Sequence, residues 1–598
     1  MTAVGPSGAT RAQVRAATVA AEAACVDSEV PDAARMLLAL EVARSEGSTC
    51  VPLDELEDAF ERLGFSRAQA LGARTFCTST SARPLVAVEH GAIFSTRFSA
   101  AEDRVARRLA GRLSEAPRYS APEVAAALRD VAARPRRFSD GSAERWTEAQ
   151  TKAITAAVTG SFAAISGGPG TGKTSIVVSI LRVLARLGAN PGAFALGAPT
   201  GRAADRLTSS IADALASVQD PTDHDRGLAA LQGAQTLHRL LGWSELRGRF
   251  RFDESLHLPH RFVIVDECSM MDLGLADALL SAARDTATVV WLGDAEQLPA
   301  VAAGAPFGEL SALESLLVRL DRSFRMRADD FAGSHVLEVA ELVRRGRAHD
   351  ALAALRARGP GELEDQGVEW LEPTRLPEVL ERWRRAYADV LRDLLDSTEL
   401  DESSDALRAA FRLLGAARLL CSTRLGRLGS DSLARALSTR GDGTIGPGDA
   451  VLVTRNDPSR GLVNGDLGVV ATMQVRGRAR ELAVFEKHLG PDRKLLEWPL
   501  AELSGSIELA HASTVHRAQG QEHDRVMLVL GDVAGSRIET RSLVYTAVTR
   551  ARHSVLIVAG RDELERAILR KEPRASRLRE RLNSMSSDES ADKARGDT

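Results

Sequence analysis

The stretch Ile165-Ser166-Gly167-Gly168-Pro169-Gly170-Thr171-Gly172-Lys173-Thr174 decides how the rest of this 598-residue chain is read. It fits G-x-x-x-x-G-K-[ST], a loop whose glycines let backbone N–H groups close around phosphates. In that pattern Lys173 reaches the β/γ oxygens and the Thr174 hydroxyl can hold Mg²⁺. Upstream, Phe162-Ala163-Ala164-Ile165 reads as a buried strand. Downstream, Ser175-Ile176-Val177-Val178-Ser179-Ile180-Leu181 reads as a helix whose N-terminus adds its own attraction for phosphate. Gly167, Gly168, Pro169, Gly170, Thr171, Gly172, Lys173, Thr174 and Ser175 are therefore the candidate nucleotide-binding residues. Lysine is scarce here: six (Lys152, Lys173, Lys487, Lys494, Lys571 and Lys593) among 77 basic residues. In so arginine-rich a chain, a lysine at the one position that needs a compact ammonium is informative.

Bulk properties set the class. Domain-size priors divide a chain of this length into roughly three to five units. Hydrophobic content of 44% and charged content of 26% supply several cores. The net charge of -4 gives no bulk basic signal, so any nucleic-acid contact must come from local cationic patches. The five cysteines (Cys25, Cys50, Cys77, Cys268 and Cys421) are scattered without a C-x-x-C. That speaks against a disulfide framework or a zinc site and suits a reducing cytosol. No apolar run approaches 18 residues and the N-terminus has no signal pattern, so a cytoplasmic protein is expected.

Along the chain, residues 1–115 read as an N-terminal domain of mixed, mainly helical elements. Met36, Leu37, Leu40 and Val42 suit a helix, and Leu53, Leu56 and Phe60 stand at helical spacing after a Gly47-Ser48-Thr49 break. Leu85–Val88 and Ala92–Phe94, joined through His90-Gly91, read as a hairpin. Residues 116–141, with Pro117, Pro122, Pro135, Arg136, Arg137 and Gly141, read as a linker with one short helix. From 142 to 335 strands alternate with helices, which implies a parallel sheet covered on both faces. A second α/β region runs from 336 to 575, and the tail 576–598 is expected to be partly disordered.

Further motifs follow in the order an ATP-driven motor requires. Phe262-Val263-Ile264-Val265 is a fully apolar strand ending in Asp266-Glu267. In this Walker B pattern Asp266 would hold Mg²⁺ and Glu267 would orient and deprotonate the attacking water. Next, Val289-Val290-Trp291-Leu292-Gly293-Asp294 runs on to Gln297, whose amide can sense the γ-phosphate. Trp291, inside that strand, reads as core and not as a base-stacking platform.

Together these residues resemble superfamily 1 (1B) DNA helicases, and within them the RecD family, the alpha subunits of exodeoxyribonuclease V (RecBCD). Ser166–Ser175, Ala198–Leu207, Thr236–Gly242, Asp266–Met271 and Leu292–Val301 look like motifs I, Ia, Ib, II and III. Gln150 matches the adenine-reading glutamine, and Ser323-Phe324-Arg325 resembles motif IV. Thr514–Gly520 looks like motif V and Val544–Arg552 like motif VI. The resemblance covers about residues 30–565. It implies two RecA-like P-loop lobes: 142–335, and 336–445 continued by 508–575, with a small SH3-like β insertion at 446–507.

By the same resemblance, ATP and Mg²⁺ are the cofactors and Lys173, Glu267, Gln297, Arg325 and Arg550 carry the catalysis. Arg325 and Arg550 would approach the phosphates from the second lobe. Thr200, Arg202, Thr236, His238, Thr514 and His516 would contact DNA, as would Arg455 and Asn456 of the insertion. Two positions depart from the family pattern: Arg202 stands where lysine is common in motif Ia, and Arg517-Ala518 where Lys-Ser is common in motif V. Arginine serves phosphate as well as lysine does, and the chain's arginine bias accounts for both. Asn464-Gly465-Asp466 reads as a hairpin turn between two strands of the insertion.

About 145 residues precede the motor, too few for the longer N-terminus usual in free-standing RecD-like helicases. The stretch Gly47–Leu56 instead resembles the RecD segment that docks on RecB. The resemblance thus implies a 5′-to-3′ helicase acting on single-stranded DNA and double-stranded DNA ends with RecB-like and RecC-like partners, the nuclease centre lying in a partner. A free-standing helicase, a silent structural subunit and a non-helicase P-loop switch or kinase are the alternatives.

Overall fold

The computed structural model describes residues 9–585 except 26–27, 79–84, 139–140, 314–315, 323–330, 358–362, 396–404, 458, 476–477, 490–491, 532–537 and 573. Among the described residues no helix is long and apolar enough to cross a membrane.

The N-terminal body joins helices Arg11–Ala24, Val30–Ser45, Leu56–Arg62 and Arg67–Cys77 to a three-stranded antiparallel sheet. Its strands are β1 (Cys50–Pro52), β2 (Val86–Glu89) and β3 (Ala92–Ser95), in the order β1-β3-β2. The β2–β3 hairpin turns at His90 and Gly91, both at positive φ. Met36, Phe60 and Ile93 meet in its core.

The first lobe holds β4 (Phe162–Gly167), β5 (Phe194–Ala198), β6 (Gln235–Thr236), β7 (Phe262–Val265), β8 (Thr288–Gly293) and β9 (Leu317–Leu320). They form one parallel sheet in the order β6-β5-β7-β8-β4-β9. Side chains alternate between its two cores, as strand geometry demands. Val263, Val265, Val289 and Trp291 face one; Phe262, Ile264, Val290 and Leu292 face the other. Trp291 is fully buried and meets Phe162 edge-on at 5.2 Å, so it is a core residue.

Two segments upstream belong to this lobe. Helix Thr96–Ser114, read as part of the N-terminal domain, packs Val105 and Leu109 into the first core. Its buried Arg112 donates to the carbonyls of Ala283 and Arg284, both at 2.9 Å, where helix Leu273–Ala282 ends. Such a cation satisfies orphan carbonyls and the negative end of the helix dipole. Residues 116–141, read as a linker, carry helix Ala121–Ala133, whose Val124, Ala127 and Val131 enter the second core. Pro122 stands in the first turn of that helix, and Arg136 forms a nearly buried ion pair with Glu144.

In the second lobe lie β10 (Arg356–Ala357), β11 (Gly367–Leu371) and β12 (Ala417–Cys421). The insertion follows with β13 (Ala450–Val453), β14 (Leu467–Val475), β15 (Arg478–Leu489), β16 (Asp492–Pro499) and β17 (Ile507–Leu509). Next come β18 (Ala512–Thr514), β19 (His523–Val529) and β20 (Ala551–Val558). The lobe's sheet is again all parallel, β10-β11-β20-β19-β12-β18. The insertion is a separate five-stranded antiparallel sheet, β16-β15-β14-β13-β17. Asn464-Gly465 is not a two-residue hairpin turn: it closes a longer loop between β13 and β14. Asp466 anchors that loop, accepting from Val463 N at 2.6 Å and from Lys487 at 2.5 Å.

The segment 574–585 returns from the second lobe and stitches the N-terminal body to the first. Thr49 N donates to Ala575 O at 2.9 Å and Ala575 N to Ser48 Oγ at 3.0 Å. Fully buried Glu102 accepts from Thr49 Oγ1 at 2.5 Å and from Ser576 Oγ at 2.8 Å. Of Gly47–Leu56, the stretch resembling a partner-docking segment, Gly47–Pro52 is buried, whereas Asp54 and Glu55 remain exposed. A cleft of about 570 Å³ lies at this junction, lined by Glu309, Arg577 and Glu580 among others.

Burial, then the charges of Glu102 and Glu580, push the Glu309 carboxyl up to about 7 from an ordinary 4.5. Because the folded-state value is the higher one, this group's share of stability is full below about pH 4.5 and is lost as pH rises through about 7. Glu309→Gln, which mimics the neutral form, is expected to raise the melting temperature at pH 8 and to leave it unchanged at pH 4.5. Equal shifts at both pH values would contradict this.

Candidate functional site

The C-terminal ends of β4, β7 and β8 open into a cleft of about 700 Å³ between the two lobes, the place where parallel α/β sheets bind ligands. Residues 168–172 connect β4 to helix Lys173–Arg186. Gly172 stands at φ 87°, and a Cβ there would lie 2.8 Å from Gln150 Nε2, so only glycine fits. Thr171 Oγ1 braces the loop through Gly168 O at 2.8 Å. Lys173 Nζ donates to Gly167 O at 2.6 Å and Gly168 O at 3.2 Å.

Gln150 is buried beside the loop. Its Nε2 donates to Thr171 O at 3.2 Å, while its Oε1 accepts from Thr147 N at 3.0 Å in a capping box that starts helix Glu148–Thr159. The amide is therefore held in one orientation at the edge of the cleft.

At the end of β7, Glu267 takes a left-handed backbone (φ 55°, ψ 38°), and its N–H bonds Asp266 Oδ1 at 2.8 Å. A non-glycine residue held there stores about 1–3 kcal/mol of strain, which persists only where surroundings enforce it. Burial and then neighbouring Glu267 drive the Asp266 carboxyl above the usual carboxylate range, with Lys173 pulling the other way. A cation at this point would relieve both effects.

The loop after β8 ties the lobes together. Asp294, buried and likewise pushed up by burial, accepts from Gln297 Nε2 at 3.0 Å and from Tyr545 OH of the second lobe at 3.1 Å. Leu298 N donates to Thr546 Oγ1 at 2.8 Å, and Gln519 Nε2 donates to Leu298 O at 2.6 Å. The Tyr545 hydroxyl also lies 3.0 Å from where a Cβ on Gly168 would stand. The phosphate loop is thus in touch with the opposite lobe.

The cleft gathers Gln150, Pro169–Ser175, Asp266, Glu267, Gln297 and Arg550. Arg550 is buried, donating to Thr546 O at 3.2 Å and Gln521 O at 3.1 Å. Arg325 lies outside the described residues. Sequence reasoning did not single out Arg206 and Arg322, which also line the cleft. Arg206 crosses between lobes, donating to Gly520 O at 3.2 Å and pairing with Glu522 at 2.5 Å. The signal for Arg206 was present: it lies within the quoted motif Ia segment Ala198–Leu207, one helical turn beyond Arg202.

The candidate DNA contacts are spread out. Thr200 and Thr236 use their hydroxyls as helix N-caps, for Ala203 N at 3.3 Å and Arg239 N at 3.2 Å. Arg202 turns towards the insertion. Burial lowers it to about 10 against the opposing charges of Asp466 and Asp205. Thr514 ends β18, and His516 just beyond is kept neutral by burial and by Arg574. Arg455 and Asn456 are exposed on the β13–β14 loop. His238 is exposed and belongs to a cluster that sequence reasoning missed: its ring lies 6.2 Å from Trp243 and 5.8 Å from Phe250. Arg239, Arg247, Arg249 and Arg251 of the same segment are all exposed.

Residues 150–303 match the AAA domain family and residues 509–558 the UvrD-like helicase C-terminal domain. RecBCD enzyme subunit RecD of Mycobacterium tuberculosis is 36% identical over 449 residues, covering 73% of each chain. The RecBCD enzyme subunit RecD of Mycolicibacterium smegmatis is 34% identical over 73% of this chain and 75% of its own. The ATP-dependent RecD2 DNA helicase of Deinococcus radiodurans is 31% identical over 70% of this chain but only 50% of its own. A solved structure of Pif1 helicase from Bacteroides with ADP-AlF3 and ssDNA aligns at a TM-score of 0.36 and 16% identity, over 69% of this chain and 92% of that one. With relatives above 30% identity across nearly three quarters of both chains, this chain belongs to the RecD family of ATP-dependent DNA helicases.

Proposed function

We propose that this protein is the 5′-to-3′ motor of a RecBCD-type assembly, acting in the cytoplasm on double-stranded DNA ends beside RecB-like and RecC-like subunits. The observation that carries the motor reading is the cleft itself, where Lys173, Asp266, Glu267 and Gln297 of one lobe face Arg550 of the other. Chemistry placed between two bodies changes how they sit relative to each other. Assembly with partners is supported by the coverage: the relatives named RecD subunits match along about three quarters of their own length. Their Deinococcus counterpart matches along half. That same match, at 31% identity, keeps a free-standing helicase as the second reading.

In this reading Gln150 faces the adenine, the glycine loop and Lys173 take the phosphate chain, and Glu267 holds the attacking water and removes its proton. Thr174 and Asp266 would hold Mg²⁺. Two oxygen donors beside a phosphate chain suit that ion, and a carboxyl raised by burial is what a cation stabilises. Mg²⁺, when bound, neutralises charge on the β- and γ-phosphates. Gln297 senses the γ-phosphate, and Arg550, with Arg325, balances charge on the transferring group. The single strand would run over Thr200, Arg202, Thr236, Thr514 and His516. Arg455 and Asn456 would meet it from the insertion, read as SH3-like. His238, Trp243 and Phe250 would offer stacking faces among arginines, a sequence-tolerant mode.

Lys173→Gln is expected to abolish single-strand-stimulated ATP hydrolysis with folding intact by circular dichroism, and near-normal turnover would contradict the site. Glu267→Gln is expected to keep ATP binding while turnover falls about 10²- to 10⁴-fold, the range for losing a general base. Trp243→Ala is expected to weaken oligothymidylate binding about tenfold, near the worth of one stacked base. An unchanged affinity would remove that cluster from the DNA path. Purification from the native source should recover two large partner subunits with the chain, whereas a lone active monomer would establish the free-standing reading.

A further inference from the structure

The two arms 136–138 and 141–144 pair as a small antiparallel hairpin at the rim of the nucleotide cleft, ahead of the stretch that matches the AAA domain family at 150–303. Arg137 and Ala143 pair as an antiparallel bridge, Phe138 N donates to Ser142 O at 2.9 Å, and Glu144 N donates to Arg136 O at 2.9 Å. A second bridge, Arg136 with Val218, fastens the hairpin to the end of helix Gly201–Ala216. Phe138, Ala143, Glu144 and Trp146 line the cleft from this side.

Within the hairpin, Arg136 and Glu144 form an ion pair with side chains only 8% and 9% exposed. Arg136 Nε meets Glu144 Oε2 at 2.8 Å, and its Nη2 also donates to Ser175 Oγ at 2.6 Å. Desolvating such a pair is costly, so its presence argues for a placed geometry and not for stability alone. Ser175 is the third residue of the phosphate-binding helix and lines the same cleft. Its oxygen accepts from the guanidinium, so its own O–H proton points elsewhere and is free to donate to a phosphate oxygen. Phe138, by contrast, is 47% exposed, with the Arg136 guanidinium 5.8 Å from its ring centre. A half-exposed ring at the lip of a nucleotide cleft gains by covering a flat base.

We propose that this hairpin is the nucleotide clamp of the motor: Phe138 covers the base of the bound nucleotide, and Arg136, locked by Glu144, positions the Ser175 hydroxyl on the phosphate chain. Arg136 is a positioning residue, acting through Ser175. The proposal rests on the reading of this cleft as the ATP site. It assigns the base end of that site to a segment that carries no nucleotide-binding motif.

The test uses the full chain without DNA or partners, measuring binding of fluorescent mant-ADP and its displacement by ADP and by inorganic tripolyphosphate. Phe138→Ala is expected to weaken ADP about tenfold and tripolyphosphate less than twofold, with Phe138→Tyr restoring ADP binding. Arg136→Ala is expected to weaken both ligands about fivefold. Ser175→Ala, which leaves the ion pair whole and so guards against a folding defect, should match that loss. The double variant should be no weaker than either single one. In ATP hydrolysis the Phe138→Ala loss should fall on KM far more than on kcat. ADP affinity within twofold of wild type in Phe138→Ala would overturn the base contact. Losses that multiply in the Arg136/Ser175 double variant would overturn the positioning role. Failure of the wild-type chain to bind either ligand would instead sink the ATP reading itself, and the clamp with it.

Discussion

Asp294 is a buried carboxylate at the end of a central strand, and it finds its partners in both lobes. Gln297 of its own loop and Tyr545 of the opposite lobe share one oxygen, at 3.0 Å and 3.1 Å. A buried carboxylate left without donors costs several kcal/mol, so the lobes cannot separate here without replacing that bond. Leu298 adds two backbone bonds to the second lobe, through Thr546 and Gln519. The first of these contacts lies beside the phosphate loop, with the Tyr545 hydroxyl against Gly168. Whatever fills the loop is felt directly by the joint between the two bodies.

Around this joint, the remaining architecture limits which motions are open. The first lobe is enlarged by helices from residues 96–133, so it moves with its flanks as one piece. Segment 574–585 leaves the second lobe and is bonded back to Ser48, Thr49 and Glu102. The chain therefore crosses between the lobes a second time, far from the nucleotide. The insertion meets the first lobe too: a Cβ on Gly201 would touch Val463 at 2.9 Å. Motion of the second lobe must then carry the β13–β14 loop across the start of helix Gly201–Ala216, where several candidate DNA contacts lie.

What the sequence made legible is what local spacing encodes. The phosphate loop, the apolar strand before Asp266 and the Gly-Asp ending of β8 each sit inside one strand–loop–helix unit, so their periodicity and turn residues suffice. The parallel sheet of the first lobe followed from the same alternation, and the second lobe from the family resemblance. Contacts made at long sequence separation left no such trace. Arg136 reaches Ser175 from 39 residues away and Tyr545 reaches Asp294 from 251. Segment 116–141 looked like a linker because prolines and arginines are common in linkers, yet its Arg136 is held by Glu144 and Ser175, contacts that only the fold creates. Asn464-Gly465 carried a real turn signal, but Asp466 anchors it to Lys487 of β15, so it ends a long loop instead of a tight hairpin. Within Gly47–Leu56, read as a docking segment, Ser48 and Thr49 bond Ala575 of the chain's own C-terminal segment, a contact no local pattern announces.

Coupling of the nucleotide to the joint between the lobes rests on the Asp294–Tyr545 bond. A double-mutant cycle on single-strand-stimulated ATP hydrolysis, using Asp294→Asn, Tyr545→Phe and the pair, measures that coupling without a large change in shape. Each single change is expected to lower stimulated turnover, and the double variant to be no worse than the weaker single one, a coupling of about 1 kcal/mol or more, as for groups in direct contact. Losses that simply multiply would contradict it.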